Sequence, residues 1–321
     1  MTDPRDIVVV FCVDAAFALP LAVALSSAAD HLADGRRLCV HILHNDIPPD
    51  TQARIERAAP DAVVQWHTLR LADHLADLRG GGGADLPTTS HLNETVYWRL
   101  LLPRLLPAAD RAIYLDCDIL VAGDLAELWD TDLGGKSLAA VPDFVFSTVR
   151  LAFNDLTSWA DYGVDGDGPY FNGGVQLLDL AAWRERKIAE QTVAFLDEYP
   201  VRLLEQDAMN CVCAGDWHRL DLAWNVQLFP IMRPEKFKDT DVAAEVRQRP
   251  MLVDDAKILH FTGPKPWWPI LRHPLRGRYL RELSASSFQS KTEHVAWRAK
   301  LEARRAGAAV GKLVGFGHAN R

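Results

Sequence analysis

The sequence predicts an α/β protein built on a mostly parallel, Rossmann-like sheet. Three observations carry this. Short apolar runs rich in β-branched residues alternate with helical segments from residue 7 to residue 69, the order that βα units impose on a parallel sheet. Two of the apolar runs end on aspartate, at Asp14 and Asp116, and ligands of open α/β sheets collect beyond the carboxyl ends of strands. No internal repeat competes with this reading.

In order, residues 7–13 read as a strand, 19–31 as a helix, 38–44 as a second strand, 49–58 as a second helix and 63–69 as a third strand. The apolar segment 15–29 contains Pro20 and is shorter than the roughly 20 residues a membrane span needs, so it reads as a core helix. Residues 71–90 read as a loop around Gly80, Gly81, Gly82 and Gly83. Four consecutive glycines lack the spacing of a dinucleotide fingerprint, which leaves a flexible loop or a lid. Residues 93–102 read as a helix ended by Pro103. Within it, Arg99 stands among apolar neighbours and must face either solvent or an anion, with solvent the default.

The stretch 111–121, Arg-Ala-Ile-Tyr-Leu-Asp-Cys-Asp-Ile-Leu-Val, organises the rest. Its first half is a strand buried on both faces. Asp116 and Asp118, two apart on extended chain, point to the same side with α-carbons roughly 6.6 Å apart. No Lys or Arg lies between Tyr114 and Val121, so the pair repels itself unless a cation or a pKa shift intervenes. Capping and turn duty is the bland alternative.

Beyond it, 125–129 reads as a short helix, 137–141 as a strand, 144–164 as mixed and aromatic, and 170–178 as a strand opened by Asn172, Gly173 and Gly174. Glycines there let backbone approach a ligand or form a bulge. Residues 180–198 read as one helix, capped by Asp179 and stopped by Pro200. Residues 205–213 form a short helix whose Glu205 and Asp207 suit the helix dipole, a reason that explains Gln206 less well. Residues 222–227, with Trp224 and Asn225, read as core and turn. In 257–268 a short strand ends at His260, and a Gly-Pro-Lys-Pro turn holds Lys265. His260 is either a satisfied core residue or a third, borderline ligand beside the aspartates, a set suited to Mn²⁺.

Composition bounds the function. A formal charge of −8 argues against a nucleic-acid partner. Residues 291–321 run the other way, with seven Lys or Arg against two Glu. The segment 293–314 reads as an amphipathic helix with Trp297, Leu301 and Val310 on one side and basic residues elsewhere, either packed on the body or touching an anionic substrate or, peripherally, an anionic membrane. Five cysteines without Cys-x-x-Cys spacing read as buried thiols of a reducing, cytoplasmic compartment.

Six motifs in order resemble glycosyltransferase family 8: the first strand into Asp14, Tyr-Trp-Arg-Leu-Leu-Leu-Pro at 97–103, Tyr-Leu-Asp-Cys-Asp at 114–118, Phe-Asn-Gly-Gly-Val at 171–175, Glu-Gln-Asp-Ala-Met-Asn at 205–210, and His-Phe-Thr-Gly-Pro-Lys-Pro-Trp at 260–267. The resemblance spans roughly residues 7–268. It implies the GT-A fold over residues 1–275 with a basic helical extension over 276–321. It also implies a retaining enzyme that moves glucose or galactose from UDP-glucose or UDP-galactose, with Mn²⁺ or Mg²⁺, to a glycan or lipid-linked saccharide such as lipopolysaccharide. It assigns Asp116, Asp118 and His260 to the metal, Gly263 and Lys265 to the diphosphate and Asp14 to the uridine. Arg99, Asn172, Gly173, Gln206 and Asp207 fall to the donor sugar and reacting bond. Where many members have a second acidic residue and an Asn after the first Asp, this chain has Ala15 and Ala16.

Two other classes compete. An apolar strand ending in Asp-x-Asp also opens phosphohydrolases of the haloacid dehalogenase type, which use Mg²⁺, have their motif nearer the N-terminus and do not need His260. A non-catalytic UDP-sugar binder would hold nucleotide and metal without turnover.

Overall fold

The computed structural model describes residues 3–81, 85–88, 94–237, 240–268 and 273–315, with the backbone alone for 306–315. Its strands are β1 (Asp6–Val13), β2 (Arg37–His44), β3 (Val63–Thr68), β4 (Arg111–Leu115), β5 (Ile119–Val121), β6 (Leu138–Pro142), β7 (Phe171–Asp179), β8 (Trp217–Arg219), β9 (Val226–Gln227) and β10 (Ile258–His260). Seven of them form the main sheet in the order β3-β2-β1-β4-β7-β6-β8, and β5-β10-β9 form a small second sheet. The pairs β1–β2, β2–β3, β1–β4 and β6–β8 are parallel; β7 runs antiparallel to both β4 and β6. The predicted mostly parallel α/β architecture is present.

The chain winds outward from β1 to β3, then returns to place β4 on β1's other side. That reversal opens a crevice beyond the carboxyl ends of β1 and β4, the topological switch point where such sheets bind ligands. β1 is buried from Ile7 to Val13 because both its faces are covered. Ile7, Val9 and Phe11 join the cluster that contains the helix Ala18–Asp30, while Val8, Val10 and Cys12 join the opposite cluster with Tyr97 and Trp98. Pro20 sits in the first turn of Ala18–Asp30, where no intrahelical N–H is required.

Several elements depart from the sequence reading. Part of the expected loop 71–90 is a helix, Ala72–Arg79. Leu75 and Leu78 bury one face of it, the Leu71 N–H donates to Glu94 Oε2 at 3.1 Å, and Gly80 ends it at φ +71°. Gly82, Gly83 and Asn93 lie outside the described residues. Residues Glu94–Leu101 are 3₁₀ rather than α, and Pro103 lies inside the following turn Leu102–Leu105 instead of stopping the helix before it. The single helix expected over 180–198 is two, Leu180–Arg186 and Ile188–Glu198, broken where Lys187 takes φ +53°. The C-terminal helices are Arg276–Ala285 and Lys291–Gly315. Tyr279, Leu280, Leu283 and Phe288 belong to the same apolar cluster as β1, so the core runs on past residue 275 without a break.

Candidate active site

β4 delivers Asp116 to the crevice, and the Asp116 N–H donates to the Gly174 carbonyl at 2.8 Å, so the backbone at this point is held by β7. Asp118 precedes β5, which pairs antiparallel with β10 in the register His260 opposite Ile119. The Phe261 N–H donates to the Asp118 carbonyl at 2.9 Å and locks that register. The small second sheet is therefore the device that brings His260 to the aspartates. Ligand atoms of Asp116, Asp118 and His260 lie within 4.8 Å of one another. His260 Nε2 stands 3.4 Å from Asp118 Oδ1 and 3.7 Å from Asp116 Oδ2.

A buried chain of amides fixes the imidazole. The Asp143 carboxylate accepts only, and takes Asn172 Nδ2 at 2.9 Å on one oxygen and the Val145 and Phe146 N–H groups on the other. Asn172 Oδ1 must then face Asn225, whose Nδ2 donates to it at 2.9 Å. Asn225 Oδ1 in turn lies 2.9 Å from His260 Nδ1. An amide oxygen there requires a proton on Nδ1, so Nε2 is the nitrogen that faces the carboxylates and the one placed to ligate a cation. This is the outer support that orients imidazole ligands of metals. Asn225, read from sequence as core and turn, and Asp143, not singled out at all, are thus part of the site.

Arg99 is buried, 3% exposed, so solvent is not what it faces. It donates to the Gly173 carbonyl at 2.6 Å and to the Tyr114 hydroxyl at 2.9 Å, and stacks on the Tyr114 ring at 3.8 Å. Its guanidinium stands 3.6 Å from Asp116 and 3.4 Å from Glu205. The Tyr114 hydroxyl in turn donates a hydrogen bond to Asp116 Oδ1 at 2.9 Å, which fixes that carboxylate's orientation.

Glu205 is also buried, and burial pushes its carboxyl up to about 7, with Arg99 beside it holding it down in part. An acid whose folded pKa is raised binds more protons folded than unfolded between the two values, so its ionisation costs stability as pH rises through that window. The Glu205→Gln variant is therefore expected to gain stability relative to the parent between pH 5 and pH 8. The gain is on the order of 1–3 kcal/mol, read as the change in the urea-unfolding difference between the two pH values. A difference that is constant with pH would refute it.

Gln206 Oε1 accepts the Gly173 N–H at 2.8 Å, and its Nε2 donates to the Tyr170 hydroxyl at 3.2 Å. Tyr170 donates to Asp207 Oδ1 at 2.6 Å; Asp207 Oδ2 accepts the Arg202 and Leu203 N–H groups. Asp207 is fully buried behind Tyr170, holding the turn that starts the helix Glu205–Val212.

Lys265 Nζ donates to Asp118 Oδ2 and to the Phe261 carbonyl. Burial pushes the Asp118 carboxyl up, but Lys265 and His260 together outweigh it and hold it well below the usual carboxylate range. Gly263 takes φ +69°, and a β-carbon there would meet the Phe229 ring at 2.6 Å, so glycine shapes the loop that aims Lys265. Asp14 sits at the mouth of β1, its Oδ1 capping Ala16 and Phe17 at 3.0 and 3.2 Å. Asp46, just after β2, accepts the Ala15 N–H at 3.0 Å.

The structure thus gathers Asp116, Asp118, His260, Lys265, Arg99, Asn172, Gly173 and Gln206 into one centre, with Asp207 behind it and Asp14 and Gly263 on flanking loops. The residue not separated from its neighbour by sequence reasoning is Gly174. A β-carbon there would stand 2.8 Å from both Asp116 Oδ2 and His260 Nδ1. Two carboxylates, an oriented imidazole and a cradle that one methyl would fill are a donor set that fits a divalent cation of the Mn²⁺ or Mg²⁺ class.

Residues 8–270 match the model of Glycosyl transferase family 8. The chain is 27% identical over 292 residues to General stress protein A of Bacillus subtilis, covering 88% of this chain and 94% of that one. It is 29% identical over 195 residues to the lipopolysaccharide 1,2-glucosyltransferase of Escherichia coli, covering 58% of this chain and 53% of the relative. Among solved structures, the galactosyltransferase LgtC with donor and acceptor sugar analogs superposes with a TM-score of 0.68 at 22% identity, over 92% of this chain and all of that one. The bifunctional glycosyltransferase WbbM in its apo form superposes at 0.72 and 19% identity, over 95% of this chain and 53% of its own. These neighbours carry the GT-A fold, and the chain belongs to glycosyltransferase family 8.

Proposed function

We propose that the protein transfers a hexose, glucose or galactose, from a UDP-sugar to a hydroxyl of a glycan acceptor, with retention of configuration and with Mn²⁺ (or Mg²⁺) held by Asp116, Asp118 and His260. The observation that carries this is the oriented Asp-Asp-His set at the switch point, with Lys265 against it. When bound, the cation supplies positive charge where the departing diphosphate gains negative charge. Lys265 adds a second charge on the same side, delivered by the loop that Gly263 shapes. Asp14 receives the uridine, its position fixed by the turn it caps. Arg99 and Gln206 both bond the backbone of Gly173 and so shape the wall against which the sugar rests; Asp207 holds that wall through Tyr170. The bond from the anomeric carbon to the phosphate oxygen breaks as the bond to the acceptor oxygen forms on the same face, and the acceptor's proton passes to the departing phosphate.

The relatives named for lipopolysaccharide glucosyl transfer and for galactosyl transfer support a glycan acceptor. Among the described residues no helix is long and apolar enough to cross a membrane. A cytoplasmic enzyme fits the five cysteines, all of which are free thiols. A phosphohydrolase reading leaves His260 and its amide chain without a task.

The test is UDP release from a panel of UDP-sugars without acceptor, with Mn²⁺ and with chelator. Slow release from UDP-glucose or UDP-galactose alone, lost with chelator, is expected. Metal-dependent UDP binding without release, even when glycan acceptors are supplied, would make the protein a binder. No UDP binding at all would sink the proposal.

A further inference from the structure

The helix Lys291–Gly315 presents Trp297, Lys300, Leu301 and Arg304 at helical spacing on one face. Together with Trp267 these residues line a cavity of about 210 Å³. The sequence reading put the basic residues away from Trp297 and Leu301; the structure instead sets Lys300 and Arg304 beside them at one concave site. Leu301 is buried, both tryptophans are half-buried, and the two cations are exposed. Among the described residues no acidic side chain lines the cavity, and Glu302, on the next position of the helix, is taken by Arg305 at 2.6 Å. Neither Lys300 nor Arg304 enters a salt bridge among the described residues.

We propose that this cavity is a binding site for a phosphorylated sugar. Its volume accommodates one monosaccharide unit. The tryptophan rings offer apolar faces to the C–H face of a pyranose, and a guanidinium and an ammonium spaced one helical turn apart suit a phosphate group. A bilayer surface is the less suitable occupant. Membrane-docking helices thrust their apolar side chains outward, whereas among the residues lining this site Leu301 is buried and both tryptophans are half-buried beside two exposed cations. The site is also wired to the loop that carries Lys265. Trp267, two residues further on, packs against Tyr279 with ring centroids 5.0 Å apart and edge-on to Phe17 at 6.2 Å, and Phe17 ends the turn that Asp14 caps. A ligand resting on Trp267 therefore fixes the loop beside the donor site from behind, outside the transfer centre.

Calorimetry and tryptophan fluorescence with the full-length protein test the proposal, with glucose 6-phosphate, glucose, inorganic phosphate and phosphatidylglycerol vesicles as probes. Glucose 6-phosphate is expected to bind at least tenfold more tightly than glucose or inorganic phosphate. The double variant Lys300→Glu/Arg304→Glu, whose side chains are exposed, should lose at least tenfold in that affinity while its acceptor-free UDP release stays at the parental level. Trp297→Ala should weaken binding about fivefold. Absence of glucose 6-phosphate binding, equal binding of inorganic phosphate, or an affinity unchanged in the double variant would each overturn the proposal. Binding confined to the anionic vesicles would assign the surface to a membrane instead. Because the site is titrated without donor, failure here is separable from failure of the UDP-release test.

Discussion

Replacing Asp118 by Asn is expected to lower UDP release and sugar transfer by about 10³-fold or more while leaving the fold in place. The argument rests on charge rather than shape, since the two side chains are nearly isosteric. Asp118 carries a full negative charge at any working pH, because Lys265 and His260 outweigh the burial that would protonate it. The amide removes that charge from the donor set, and a preorganised electrostatic contact in a partly dry site is among the largest single terms an active site has. It also strands Lys265, whose side chain is 12% exposed and whose remaining partner is the Phe261 carbonyl. Breaking a buried ion pair at one end costs about 3–5 kcal/mol when the other charge stays buried. Lys265 sits on a loop of partly exposed residues, so the stability loss should fall at or below the low end of that range. Mn²⁺ titration in the presence of UDP, beside a thermal melt, separates the two effects. Activity within tenfold of the parent at saturating Mn²⁺ would exclude Asp118 from the metal set.

Much of this centre was legible in the sequence because its main parts lie where periodicity changes. β1 and β4 are apolar runs that stop abruptly on aspartate, and a strand buried on both faces leaves no other reading for such runs. The same simplicity hid what lies off the strands. Ala72–Arg79 sits in a glycine-rich neighbourhood, and its formation depends on Leu75 and Leu78 finding a hydrophobic partner surface and on Glu94 supplying the missing acceptor at its start, both tertiary facts. The Lys187 break is a backbone choice that no apolar pattern announces. The short strand ending at His260 was read, but its partners β5 and β9 are two or three residues long, too short for periodicity to register. Their sheet is nonetheless what sets His260 beside residues that precede it by more than a hundred positions.

Arg99 shows the limit from the other side. A single cation in an apolar run is compatible with a solvated helix edge or with a buried anion partner, and the choice is made by Tyr114 and Asp116, which β4 delivers, and by Glu205 from a separate helix. The chain from Asp143 through Asn172 and Asn225 to His260 was invisible for the same reason, since each link joins side chains distant in sequence and no local pattern requires any of them. Asp207 was visible, yet its type and spacing suited a reacting carboxylate as well as a turn acceptor; its two backbone amides and Tyr170 show the second duty.

The paired glycines after Asn172 offer the sharpest contrast. Gly174→Ala is expected to abolish metal-dependent UDP binding and to reduce UDP release by about 10²-fold or more, whereas Gly173→Ala should stay within tenfold of the parent. A β-carbon at 173 would stand 3.0 Å from Arg99 Nη1 and 3.2 Å from Gln206 Oε1, both at the ends of long side chains that can yield by a few tenths of an ångström. A β-carbon at 174 would stand 2.8 Å from Asp116 Oδ2 and closer still to Cε1 of the His260 imidazole, and neither can yield. His260 is pinned through Nδ1 to Asn225, and Asp116 is pinned by Tyr114 at its side chain and by the Gly174 carbonyl at its backbone. The methyl must then displace a ligand, and a displacement of about 1 Å is enough to cost two orders of magnitude in a preorganised site. Isothermal titration of each variant with Mn²⁺ and UDP reads the difference directly. If Gly174→Ala bound both as tightly as the parent, the cation would have to sit elsewhere than between Asp116 and His260, and the proposed metal centre would fail with it.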